Sequence, residues 1–172
     1  MRHTISVLVE NKFGALARIA GLFSGRGFNI DSLTVSPTHD RTMSKMTIVT
    51  SGDDAVLEQI DKQLNKLVEV VKVTDLTGSG LVARELMLIK VKTNNKTRSE
   101  IIQIAAIFKA KVVHVHHEAI TLEVTGQPEK LDGFVELMEQ FSIIEIARTG
   151  KVAFAQSPQA TEELDITPSY KR

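Results

Sequence analysis

No cysteine occurs in the 172-residue sequence. That excludes disulfide bonds, thiolate nucleophiles and Cys-ligated zinc or iron–sulfur centres. Tryptophan is also missing and tyrosine occurs once, which leaves little but phenylalanine for stacking on bases. Neither sign of charge predominates: 21 Lys and Arg balance 21 Asp and Glu, so the basic excess usual in nucleic-acid binders is absent. No apolar run approaches the ~18 residues of a membrane span. Residues 1–10 alternate polar and apolar side chains, without the charged-then-apolar layout of a secretion signal. A cytoplasmic protein with neither a nucleic-acid nor a membrane partner is expected. Catalytic signatures are equally scarce. Ser, His and Asp stand in no nucleophile context, and Gly25-Arg26-Gly27 and Gly78-Ser79-Gly80 lack the lysine and spacing of a phosphate loop.

What is present is a core-forming composition, 42% hydrophobic, with clear periodicity. Ile5, Val7 and Val9 alternate over residues 3–10, a half-buried strand. Residues 11–14 form a turn. Leu16, Ile19, Ala20 and Phe23 then recur at helical spacing, and Gly25 and Gly27 end that helix. Residues 28–36 are a second strand stopped by Pro37, 38–42 a hairpin loop and 45–50 a third strand. Asp53 or Asp54 caps a helix whose stripe is Val56, Ile60, Leu64 and Leu67, and the valine-rich residues 68–76 are a fourth strand. Strand, helix, strand, strand, helix, strand is the ferredoxin-like split βαβ order.

The order then repeats. Residues 85–92 are a strand. Thr97 with Glu100 forms a capping box, opening a helix with Ile101, Ile104, Ala105 and Phe108 on one face. Residues 111–117 and 119–125 are strands. Pro128 starts a helix with Leu131, Phe134, Val135 and Met138 inward, and residues 143–154 close as one long or two short strands. The fold class is therefore α+β, two ferredoxin-like βαββαβ domains in tandem: domain 1–77, linker 78–82, domain 83–156 and a polar tail, 157–172, expected to be disordered. Two domains of this size sit near the lower limit for an independent core, and a four-stranded sheet with helices on one side leaves edges and one bare face. Both favour a homo-oligomer.

The chemically informative stretch is Asn11-Lys12-Phe13-Gly14-Ala15-Leu16 with Gly25-Arg26-Gly27-Phe28-Asn29-Ile30. A free α-amino acid needs N–H donors for its carboxylate, which a helix N-terminus supplies with a favourable dipole. It also needs oxygen acceptors for its ammonium, such as an Asn side chain. Gly14 lets backbone approach a ligand without an intervening Cβ. Asn29, opening the second strand, is expected near that turn. Taken alone, Gly14 reads first as a turn glycine and Asn29 as a strand-entry residue with local hydrogen bonds.

The ordered run from the Gly-Ala-Leu turn to Asn29-Ile30-Asp31-Ser32-Leu33 resembles the ACT domain, an amino-acid-binding module. The fuller match is to the small regulatory subunit of acetohydroxyacid synthase (acetolactate synthase). It runs through residues 5–11, 20–24, 29–35, 46–48 and 58–67, and more loosely through 84–88 and 145–150. The resemblance implies an ACT domain followed by an ACT-like C-terminal domain, and a subunit without catalytic residues or cofactors. Its partner would be the large catalytic subunit, which holds thiamine diphosphate, magnesium and FAD. Docking would activate that subunit and confer feedback inhibition by valine, or by leucine or isoleucine, in branched-chain amino acid biosynthesis. The resemblance further implies a homodimer through the ACT domains, with the effector held by Asn11, Gly14, Ala15 and Leu16 of one chain and Asn29 and Ile30 of the other. Phe13 beside the turn bears on effector preference.

One cluster stands apart. His114, His116 and His117 lie close in sequence, and His114 and His116 would share a strand face, a spacing that chelates transition metals. No third spaced ligand is evident beyond the neighbouring Glu118, so histidines pairing locally on an exposed strand are the preferred reading. A metal-binding sensor module is the rival function. An amino-acid-responsive transcription regulator would need a helix-turn-helix segment, and neither half shows one.

Overall fold

A computed structural model describes residues 1–78 and 80–156 of the protein; the expected tail lies outside the described residues. The first domain comprises β1 (Arg2–Glu10), α1 (Ala15–Gly25), β2 (Ile30–Pro37), β3 (Met43–Ser51), α2 (Asp54–Leu64) and β4 (Val70–Asp75). Its antiparallel sheet has the order β2-β3-β1-β4. The second comprises β5 (Leu81–Lys92), α3 (Arg98–Ile107), β6 (Lys111–Val115), β7 (Ala119–Gly126), α4 (Pro128–Met138), a short 3-10 turn (Glu139–Phe141), β8 (Ile143–Arg148) and β9 (Val152–Ala155). Its order β6-β7-β5-β8 repeats that of the first sheet, so the duplication expected from element order holds at the level of strand pairing.

Each sheet packs one face on two helices. In the first domain Ile5, Val7 and Val9 meet Ile19, Phe23, Ile60 and Leu64 in one apolar cluster. In the second, Met87, Ile89 and Val91 meet Ile101, Leu131 and Phe134. The Asp53 side chain caps α2, accepting from the Val56 amide at 2.8 Å, as its position before the apolar stripe suggests. Leu67 still packs on this core, but from the turn after α2, which ends at Leu64.

The second face of the first sheet is not bare. Every residue from His3 to Val9 is buried, because a ribbon from the second domain covers the side opposite the helices. β5 begins at Leu81, within the segment expected as linker, and its first four residues pair with β9 from Leu81↔Ala155 to Arg84↔Val152. Ala83 and Ala153 pack with Leu76; small side chains let this ribbon approach closely. β5 then continues into its own sheet, pairing with β7 and β8. One strand thus serves both domains. Local sequence pattern cannot show this, since β5 and β9 are far apart along the chain.

One further expectation changes. Thr97 makes no side-chain cap to α3; the Asn94 carboxamide oxygen instead accepts from the Lys96 and Thr97 amides at 2.8 and 3.0 Å, an Asx turn that precedes the helix. Of the two readings open for residues 143–154, one long strand or two short ones, the structure has the second: β8 and β9, split by a turn at Gly150.

Candidate effector site at the first helix

The turn between β1 and α1 is built as expected from a glycine. Gly14 is the N-cap of α1 with φ +84° and contributes no side-chain cap, and the first helical turn carries no acidic residue. The amides of a first helical turn lack intrahelical acceptors, so this N-terminus keeps its partial positive charge uncompensated. Ala15 is buried at its base, while Leu16 is 41% exposed. Phe13 projects fully into solvent.

Asn11 is held from a second element. Its main-chain amide donates to the Thr42 carbonyl at 2.6 Å, and its Nδ2 donates to the Arg41 carbonyl at 2.9 Å. That commits the amide nitrogen and leaves the carboxamide oxygen as an acceptor. The β2–β3 loop supplying these carbonyls is itself braced, with the Thr42 amide and hydroxyl donating to Asp40 Oδ1 at 2.8 and 2.7 Å. The Thr42 hydroxyl, then its amide, holds the Asp40 carboxyl below its ordinary value.

Sequence reasoning missed Arg18. It lies one helical turn beyond Gly14, a spacing that could have found it. Its guanidinium Nη2 lies 3.5 Å from where a Gly14 Cβ would stand, and it pairs with Glu69. Glu69 is held below its ordinary value first by its own main-chain amide and then by Arg18. The glycine turn is therefore flanked by a cation as well as by a helix N-terminus, both suited to a carboxylate.

Asn29 and Ile30 are elsewhere in the chain. Ile30 pairs with Thr50 on β3, and Thr50 faces His3, whereas Asn11 follows Glu10 at the other end of β1. The two sets of residues are separated by the length of the sheet, roughly 25 Å at ~3.3 Å per residue. The expectation that Asn29 lies near the glycine turn of its own chain is therefore corrected. β1 and β2 run parallel with β3 between them, so their starts share one end of the sheet. Asn29 makes local hydrogen bonds: Nδ2 donates to Asp31 Oδ1 at 2.6 Å, and its carbonyl accepts from Thr50 Oγ1 at 2.6 Å.

The histidines do not form the expected strand pair. β6 ends at Val115, so only His114 lies on it, opposite Thr121. His116 is in the following turn, edge-on to His117 with ring centroids 5.9 Å apart, and its Nδ1 accepts a long 3.4 Å hydrogen bond from the Glu118 amide. The Arg98 guanidinium donates to the main-chain carbonyls of both His116 and His117, which brings a positive charge to this turn. Among the described residues no group of three or more His, Asp or Glu is arranged to hold a metal ion.

Comparison with known proteins covers nearly the whole chain. Residues 5–72 match the family described as AHAS small subunit-like ACT domain, and residues 84–157 the family described as small subunit of acetolactate synthase. The acetolactate synthase small subunit of Mycolicibacterium smegmatis is 50% identical over 91% of this chain and 92% of its own. That of Aquifex aeolicus is 47% identical over 94% of this chain and 85% of its own. The crystal structure of the acetolactate synthase small subunit from Thermotoga maritima superposes with a TM-score of 0.84 at 42% identity, covering 91% of this chain and 98% of that one. Two tandem ACT-type domains with these relatives place the chain in one family: it belongs to the acetolactate synthase small subunits.

Proposed function

We propose that this regulatory small subunit senses a branched-chain amino acid, valine first among the candidates with leucine and isoleucine as alternatives, and passes that information to the catalytic large subunit. The observation that carries the reading is the uncapped α1 N-terminus at Gly14, with Arg18 beside it and the Asn11 carboxamide held at its rim. The amides and dipole would take the carboxylate, an interaction of ~0.3–1 kcal/mol at an exposed helix end and up to ~2 when partly buried. The Asn11 oxygen would accept from the ammonium.

The site is completed by a second copy of the chain. β2 is an edge strand. If two β2 edges pair antiparallel about a two-fold axis, the start of one strand lies beside the end of the other. The end of β2 adjoins the loop that anchors Asn11. The partner's Asn29 and Ile30 would therefore arrive at the glycine turn from which they are distant in their own chain, and exposed Phe13, Leu16 and Val35 would be covered.

In this reading the small subunit works in the cytoplasm and supplies no catalytic group or cofactor. Thiamine diphosphate, magnesium and FAD belong to the large subunit, whose activity rises on docking. Effector binding stabilises an arrangement of the ACT pair that the large subunit disfavours, and a coupling of ~1–3 kcal/mol is enough for feedback inhibition.

Calorimetric titration of the chain with valine, leucine and isoleucine tests this. One effector is expected to bind saturably, and Gly14→Asp to abolish it while folding and large-subunit activation persist. The new carboxylate would stand beside Arg18, in the position assigned to the ligand's own. Unaltered binding by Gly14→Asp would place the site elsewhere.

A further inference from the structure

The turn between β8 and β9 belongs to the second domain yet rests on β2 of the first. Gly150, at its tip, has φ +81°, and a Cβ there would lie 2.6 Å from Ser32 Oγ and 3.1 Å from Thr34 Oγ1. Both the backbone conformation and the close approach require glycine. Around it, Thr34 Oγ1 donates to the Thr149 carbonyl at 3.0 Å, and the Lys151 amide donates to Ser32 Oγ at 3.2 Å. Lys151 Nζ reaches Thr4 Oγ1 at 3.2 Å. β2 thus presents a hydroxyl pair to a turn of the other domain, on the sheet face away from its own helices.

The turn is equally well fixed at its other end. The Thr149 amide donates to the Leu86 carbonyl at 3.0 Å, and the Leu86 amide to Thr149 Oγ1 at 3.2 Å. Arg148, one residue earlier, binds Glu85 on β5 through two hydrogen bonds of 2.8 and 3.0 Å and Asp132 on α4 at 2.7 Å. A displacement of Ser32 and Thr34 is therefore carried into β5 and α4 rather than absorbed by a loose loop.

On the β2 side the neighbouring residues are Asn29 and Ile30. The register of β2 on β3 shifts between Ile30 and Ser32, so Asp31 is a bulge, where the ladder is interrupted and the strand bends. Its carboxylate ties Asn29 and Ser51 to the bulge, accepting from each at 2.6 Å. A cleft of about 580 Å³, lined by Arg2, Asp31, Asp132 and Arg148 among others, opens beside the turn, between residues of both domains.

We propose that the Gly150 turn is the coupling element of the subunit: occupancy at Asn29 and Ile30 changes the Asp31 bulge, the bulge moves Ser32 and Thr34, and the turn carries that movement to the second domain. This rests on the effector reading above, since it assumes that a ligand touches the start of β2. Ser32, Thr34 and Gly150 are positioning residues and touch no ligand.

The test uses the full chain alone and reconstituted with its large subunit, with valine, leucine or isoleucine, whichever binds, as probe. Two variants are made, Gly150→Ala and the double substitution Ser32→Ala/Thr34→Val, the latter removing both hydroxyls without backbone strain. Three readouts are taken: calorimetric affinity, hydrogen exchange across residues 143–155, and inhibition of the reconstituted enzyme. In the natural chain the effector is expected to slow exchange at 149–153. Both variants are expected to bind it with near-natural affinity, lose the exchange response and lose inhibition, abolishing a coupling of roughly fivefold or more. Inhibition retained in the variants overturns the proposal. If Gly150→Ala fails to fold, the hydroxyl-deleted variant decides alone. If the natural chain binds none of the three amino acids, the effector reading itself fails and the coupling with it. Binding with inhibition intact in both variants removes only the coupling.

Discussion

Arg148 shows how one side chain can hold two elements and a domain contact together. Glu85 is only 7% exposed and depends on Arg148 for both carboxylate oxygens, and the same pairing raises the Arg148 guanidinium above its ordinary value. Arg148→Met leaves that carboxylate desolvated and unpaired. A loss toward the lower end of ~3–5 kcal/mol is expected, because Arg148 itself remains a third exposed. Urea denaturation of the full chain checks it, and the double variant Arg148→Met/Glu85→Leu should recover most of the loss. Carboxylates nearer the surface, Asp40 and Glu69 half-buried and Glu58 and Glu145 exposed, act differently. Asp40, Glu58, Glu69 and Glu145 are all held below their ordinary values, by Thr42, by Lys62, by the Glu69 amide and by Lys90 respectively. A carboxyl whose folded value is depressed stabilises the fold above its unfolded value and loses that contribution as pH falls through the folded one. Melting temperature should therefore be flat near neutrality and decline below about pH 4.5. High salt should weaken the component from Glu58 and Glu145, whose partners are exposed lysines. A decline that starts near pH 6 would rule out these carboxylates as its cause.

At the scale of elements, the β2–β3 loop matters because it holds Asn11. Asp40→Ala removes the acceptor for both the Thr42 amide and hydroxyl and so loosens the loop that holds Asn11. The effect should appear as severalfold weaker effector binding with a small change in melting temperature, read by titration and thermal melts of one sample. Equal binding would mean that Asn11 is positioned by β1 alone. The elements themselves were largely legible in sequence. The stripes of α1 and α2, the alternation in β1 and Pro128 at the start of α4 are local signals, and each reports one face of one element. Elements whose partners lie far along the chain were not legible. Leu81 and Val82 read as linker because their reason to be extended is β9, and β1 reads as half-buried because the ribbon over its second face is supplied by another domain. The Thr97 capping box failed for a local reason: Asn94, three residues earlier, accepts from the Thr97 amide that Glu100 would have taken, and its own amide donates to the Thr97 hydroxyl.

At the scale of the whole molecule, the glycine turn could be found from residues alone, since a helix N-terminus without a side-chain cap is visible in Gly14-Ala15-Leu16. The location of Asn29 could not, because it depends on strand order: β3 inserts between β1 and β2, and a parallel relation between β1 and β2 puts Asn29 at the wrong end of its own sheet. This makes the division of the site between two chains testable by mixing. Gly14→Asp should inactivate the turn of one chain and Asn29→Ala the strand of another, so each homodimer binds poorly. In a mixed dimer one site combines both lesions, and the other combines an unaltered turn with an unaltered strand. Unfolding and refolding the two variants together should therefore restore a site of natural affinity in the mixed dimers, seen as recovered effector heat at a reduced stoichiometry. If turn and strand acted within one chain, no mixture would contain an intact site, and no heat would return. The same measurement reports on assembly, because an effector shared by two chains must tighten their association by linkage. The dimer dissociation constant, measured by sedimentation, should fall as effector concentration rises through saturation. An unchanged dissociation constant together with failed complementation would confine the site to a single chain and remove the two-fold arrangement from the account of regulation.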